Sequence, residues 1–67
     1  MAEEKVPFSA IKARDKVKFI GGYHMTGEVL AVIGTLNGKK MVEFQEEGAV
    51  IHQYLSYAAH RSVIRYG

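Results

Sequence analysis

His52 and Tyr54 stand two residues apart in the segment GAVIHQYLSYAAH, residues 48–60, with Gln53 between them. At that spacing an imidazole and a phenol share one face of an extended strand. The imidazole donates or accepts a hydrogen bond near neutral pH, and the phenol adds a flat aromatic surface. Such a pair suits capture of a planar ligand. Two placements fit it: decoration of a strand surface, or the lining of a cavity between subunits. The apolar flanks favour the cavity, because small oligomers reuse one patch around a symmetry axis. Gln53 faces the opposite way, and the backbone of Ile51 and Gln53 offers amide groups. The expected ligand-binding set is therefore Ile51, His52, Gln53 and Tyr54, with Lys16 and Lys18 attracting an anionic tail from the rim.

Other chemistry has less support. Ser9, Ser56 and Ser62 have no base nearby in the sequence, and the pairs Glu3-Glu4 and Glu46-Glu47 read as solvated charge. No catalytic residue is expected, so any reaction would be a cofactor's, with the protein supplying position and electrostatics. The spacing of His24, His52 and His60 fits no ligand box, and without cysteine no metal site is expected. Lys12, Arg14, Lys16 and Lys18 recur every second residue, with Tyr23 and His24 nearby. They read first as a solvated strand face and second as a phosphate-reading stripe for RNA or DNA.

The chain that must position these groups has 67 residues, enough for one domain. A domain of this size buries only about 60% of its unfolded surface, and small folds usually need a staple. There is no cysteine for a disulfide, yet 48% of the residues are apolar. Self-association, as a dimer or tetramer, is the staple that remains, with Leu30, Val32 and His60 as expected interface residues. The net charge of +2 permits an anionic partner without demanding one. MAEEKVPF lacks the pattern of a signal peptide, and VLAVI is too short to cross a bilayer. A soluble cytoplasmic protein with no membrane partner is the expectation.

Five strands are readable. Residues 1–7 form a flexible lead-in and 8–67 the domain, with Phe8 and Ile11 lying against its end. RDKVKFI alternates, placing Val17 and Phe19 inward. Gly21 and Gly22 open a loop. GEVLAVIG is a second strand bounded by Gly27 and Gly34, with Val29, Ala31 and Ile33 on one face and Leu30 and Val32 on the other. Asn37-Gly38 is a strong hairpin signal. KKMVEFQ follows with Val42 and Phe44 inward, then a turn at EEG and a fourth strand over AVIHQYL. SYAAH suits one 3₁₀ turn. RSVIRYG closes the fold through Val63 and Ile64. This pattern predicts an all-β, five-stranded SH3-like barrel that is homo-oligomeric.

RDKVKFIGGYHMTGEVLAVIG, MVEF and GAVIHQY resemble the type II dihydrofolate reductases, small plasmid- and integron-borne enzymes of trimethoprim resistance, and their uncharacterised phage and mobile-element relatives. The family pattern starts strand one with G-D-x-V, carries G-[QE]-[IV]-V in strand two and V-E in strand three, and ends in a V-Q-I-Y box. The resemblance spans residues 14–64. It implies an SH3-like barrel, a homotetramer around a central pore, and folate and NADPH meeting in that pore. Asp15, Val17, Gly27 and Glu28 match the strand signatures, and Ile51, His52, Gln53 and Tyr54 occupy the box. Two residues depart from the pattern: His52 replaces the pore glutamine, and Phe19 replaces the lysine that attracts anionic ligands. Lys18 is adjacent, on the opposite face.

The expected function is oligomeric binding of a small nucleotide- or pteridine-like ligand at an inter-subunit pore or cleft, without catalysis. The alternatives are an NADPH-dependent dihydrofolate reductase and a nucleic-acid-binding barrel.

Overall fold

The computed structural model describes residues 3–21 and 24–66. Met1, Ala2, Gly22, Tyr23 and Gly67 lie outside the described residues, and with them the expectations for Gly22, Tyr23 and the first two residues of the lead-in. The described chain is all-β, with strands β1 (Glu3–Pro7), β2 (Lys16–Phe19), β3 (Met25–Leu36), β4 (Lys39–Glu46), β5 (Gln53–Ala58) and β6 (Ser62–Tyr66). They form one antiparallel sheet in the order β1-β6-β2-β3-β4-β5. No helix among the described residues is long and apolar enough to cross a membrane.

The sheet corrects the expected architecture in two respects: it has six strands rather than five, and it is not closed, with β1 and β5 as its edges. The extra strand is the lead-in expected to be flexible, which pairs with β6 from Glu3↔Tyr66 to Pro7↔Ser62. Its acidic residues find cations across the strands. Glu3 Oε2 lies 3.0 Å from Lys18 Nζ, and Glu4 Oε1 lies 2.7 Å from Arg65 Nη2. Val6 is buried opposite Val63. Past β1 the backbone continues along the turn between β5 and β6. Phe8 N donates to Arg61 O at 2.7 Å, and Ser9 N donates to Ala59 O at 2.9 Å.

The single 3₁₀ turn among the described residues is Phe8–Ala10. Residues 56–60, where one was expected, instead extend β5 and then turn. Ser56 and Ala58 stay in register with Met41 and Lys39, so the ladder with β4 satisfies their backbone.

β2 and β4 follow their alternation, with Val17, Phe19, Val42 and Phe44 all fully buried. Phe19 is the hub of an aromatic cluster. Its ring centroid lies 5.4 Å from Phe44, 5.3 Å from Tyr57 and 6.0 Å from Phe8. Leu36↔Lys39 closes the β3/β4 hairpin on Asn37 (φ 54°) and Gly38 (φ 75°), both left-handed as a type I′ turn requires.

β3 departs most from its expected pattern. Gly27 and Gly34 lie inside it, and its register with β4 shifts twice, between Val29 and Ala31 and between Val32 and Gly34. Each shift inserts one residue, Leu30 and then Ile33, and a bulge bends the strand and resets its alternation. Val29 is buried opposite Phe44, whereas Ala31 pairs with Glu43 and Val32 with Val42. Ala31 therefore does not share Val29's face.

At Gly27 the strands approach closely. A Cβ there would overlap Gln45 O and lie 2.8 Å from Phe44 Cζ. Gly27→Ala should therefore lower stability by about 1–3 kcal/mol, the usual penalty of overpacking. The urea midpoint measures this, and an unchanged midpoint would mean the strands separate freely at that point.

Arg14 adopts φ 77° in the turn before β2, where its N donates to Val29 O at 2.7 Å. A side chain in the left-handed region costs about 1–2 kcal/mol. Glycine's greater freedom in the unfolded chain offsets part of that gain. Arg14→Gly should raise stability by about 0.5–1 kcal/mol in thermal unfolding; a fall would refute the strain.

Candidate functional site

After β4 the chain turns at Glu46-Glu47-Gly48-Ala49. Ala49 N donates to Glu46 O at 3.1 Å, and Gly48 takes φ 83°. The Gln45 side chain braces this loop, its Nε2 donating to Ala49 O at 2.8 Å and to Glu46 O at 3.2 Å. The loop displays apolar side chains to solvent, with Val50 96% and Ile51 73% exposed. β5 begins only at Gln53, so the expected strand over AVIHQYL is shorter at its start, and Ile51 and His52 belong to the loop. The β4/β5 ladder ends at Phe44↔Gln53.

His52 nevertheless lies beside Tyr54. Its Nδ1 is 2.5 Å from Glu43 Oε2, and Glu43 is the cross-strand partner of Tyr54. Glu43, Val50, Ile51, His52 and Tyr54 line a surface depression of about 340 Å³. The carboxylate orients the imidazole and engages Nδ1, which leaves Nε2 as the ring's outward hydrogen-bonding atom. Tyr54, 65% exposed, presents its ring alongside. A hydrogen bond in so open a place adds little to stability, so its consequence is orientation.

Of the expected ligand set, Ile51, His52 and Tyr54 come together in this depression. Gln53 points inward, its Nε2 3.9 Å from Met25 Sδ and 3.4 Å from Glu46 Oε1. Lys16 and Lys18 lie on β2, where Lys18 binds Glu3 and sits 5.9 Å over the Tyr66 ring. The basic stripe is broken, since Lys12 and Arg14 belong to the preceding turn. Phe19 is sealed in the core.

Of the expected interface residues, Leu30 is half-buried at the first bulge. Val32 is 42% exposed, and His60 is exposed in the turn before β6. Among the described residues no group of three His, Cys, Asp or Glu side chains comes together as a metal site would require.

Comparison with protein-family models, with curated proteins and with solved structures finds no match.

Sequence reasoning missed Lys40 and Glu43. Lys40 is a lysine of the β3/β4 hairpin, and only 7% of it is exposed. Its Nζ donates to Ser9 O at 3.1 Å and to Ile11 O, and it lies 5.9 Å over the Phe8 ring. It ties β4 to the 3₁₀ turn. The one available signal was its parity with Val42 and Phe44, which places it on the inner face. Glu43 had the same kind of signal, being outward like the site it joins.

Burial pushes the Lys40 pKa below its ordinary value, with Asp15 opposing the shift. Between the lowered pKa and 10.5 the unfolded chain holds more protons than the folded one, so folding stability should rise with pH through that window. Lys40→Met should lack this rise. It should also be less stable at neutral pH by about 1–3 kcal/mol, because two backbone acceptors lose their donor. Burial, with help from Glu47, pushes the Tyr66 phenol up, which works in the opposite sense at high pH in both proteins. The difference between their denaturation curves from pH 7 to 10.5 isolates Lys40, and parallel curves would refute its burial as a cation.

Proposed function

We propose that this chain is an SH3-like barrel that assembles with copies of itself and binds a small anionic ligand, nucleotide- or pteridine-like, in the cleft of Glu43, His52 and Tyr54. The observation that carries the ligand reading is the imidazole oriented 2.5 Å from Glu43, beside an exposed tyrosine ring and the apolar residues Val50 and Ile51. An aromatic heterocycle with a charged tail uses each part. Its ring stacks on Tyr54, its polar edge bonds to the outward nitrogen of His52, and its apolar surface covers Val50 and Ile51.

Two features support the barrel reading: the strand order β6-β2-β3-β4-β5, and a bulged β3 long enough to serve both halves of a curled sheet. Support for assembly comes from the small size of the chain and the number of large apolar side chains left in solvent. The resemblance to type II dihydrofolate reductases points to the same class of ligand. The buried Phe19 at the reductases' lysine place favours binding without turnover.

Calorimetry against AMP, ATP, cyclic AMP, NADPH and dihydrofolate tests the reading. At least one should bind, and Tyr54→Ala should weaken it by about 1–3 kcal/mol, the range for stacking of a base on an aromatic side chain. Oxidation of NADPH with dihydrofolate would replace binding by reductase activity. Failure of the whole panel, together with salt-sensitive binding of single-stranded RNA or DNA, would move the function to the basic residues near β2.

A further inference from the structure

The outer face of β3, β4 and β5 carries a pattern that matches itself in reverse. Val42 and Phe44 are fully buried, so Lys39, Met41 and Glu43, of the opposite parity on β4, project outward. Residues paired across an antiparallel ladder share a face. The outer face therefore has three rows: Leu36, Lys39 and Ala58; Gly34, Met41 and Ser56; Ala31, Glu43 and Tyr54. Leu36 is 75%, Tyr54 65% and Met41 39% exposed. Ile33, Leu36 and Met41 line an apolar groove of about 550 Å³ beside Lys39 and Ser56.

We infer that this face is covered by a second copy of the chain, related by a two-fold axis that runs across the strands over Met41. The rotation reverses the row order and keeps β3 over β3, β4 over β4 and β5 over β5. Lys39 of each copy then faces Glu43 of the other, giving two ion pairs around a Met41 to Met41 contact. Large side chains meet small ones: Leu36 lies over Ala31, and Tyr54 over Ala58. The middle row, with Gly34 and Ser56 beside Met41, lets the sheets approach. An isologous interface needs this self-complementarity, because a residue that meets another in the second copy is met in turn by that residue's counterpart in the first. Cation, thioether and anion at alternate positions of one strand supply it. Glu43 and Tyr54 belong to this face and to the ligand cleft alike, so Lys39 of the second copy stands at the edge of the cleft and offsets the Glu43 charge that an anionic ligand would otherwise meet.

This inference rests on the assembly part of the proposed function and specifies its surface. Sedimentation velocity of wild type, Lys39→Glu, Glu43→Lys and the double variant K39E/E43K tests it, with circular dichroism confirming that each folds. Wild type should be dimeric at tens of micromolar. Each single variant sets like charges opposite each other twice and should weaken the dimer about tenfold or more. The double variant should restore it. The two single variants, mixed, should form a heterodimer, since the glutamate introduced by K39E in one copy then faces the lysine introduced by E43K in the other. Singles that stay as dimeric as wild type, or a mixture that stays monomeric, would overturn this face and leave assembly through another surface standing. A monomeric wild type would overturn both.

Discussion

The two bulges in β3 set the geometry on which the rest of this structure depends. A single sheet on so short a chain makes a core only by curling over itself, and β3 is the strand that must curl. Its first residues pair with β2 on one side, and β4 pairs with it from Gly27 to Leu36 on the other. The inserted residues Leu30 and Ile33 bend it just beyond the stretch that β2 covers. As a result, Val17 and Phe19 of β2 and Val42 and Phe44 of β4 meet in one core, closed by Phe8 and Ile11 from the chain between β1 and β2. Without the bend these residues would lie on a flat surface open to water.

The same bend decides what remains outside. Before the bulges, alternate residues of β3 are buried. Beyond them, the strand runs past the core and leaves Ile33 and Leu36 in solvent. The hairpin arm thus carries apolar surface with nothing of its own chain to cover it. Its inner face is partly closed by Lys40, whose ammonium reaches the carbonyls of Ser9 and Ile11. A lysine suits this position because its stem packs on the Phe8 ring while its head supplies donors to backbone that β-pairing leaves unsatisfied.

The candidate cleft lies where the sheet hands over to a loop. Glu43 is fixed by the β4 ladder, and Gln45 holds the loop's backbone. His52 is held by Glu43 rather than by a strand of its own. A rigid strand therefore positions the carboxylate, and the carboxylate positions the imidazole. The exposed apolar residues around it give the cleft a character unlike the charged surface near β1 and β2, where Glu3 and Glu4 are matched to Lys18 and Arg65.

The sequence by itself determined the all-β class, the inward faces of β2 and β4, and the β3/β4 hairpin. Each follows from a local rule: side chains alternate with period two, and Asn37-Gly38 accepts the left-handed turn. It also singled out His52 and Tyr54 as neighbours. Tertiary structure decided the rest. β1 is a strand because distant cations and Val63 accept it, and no alternation within EEKVP announces those partners. The bulges carry no local signature, so counting by twos along VLAVIG misplaced Ala31. Phe19 faces inward by its alternation, but the aromatic cluster around it forms because Phe8, Phe44 and Tyr57 arrive from three other elements. Lys40 is buried because the carbonyls of Ser9 and Ile11, far earlier in the chain, reach its ammonium. Periodicity is a property of neighbouring residues, whereas burial, pairing and charge compensation belong to residues that only folding brings together.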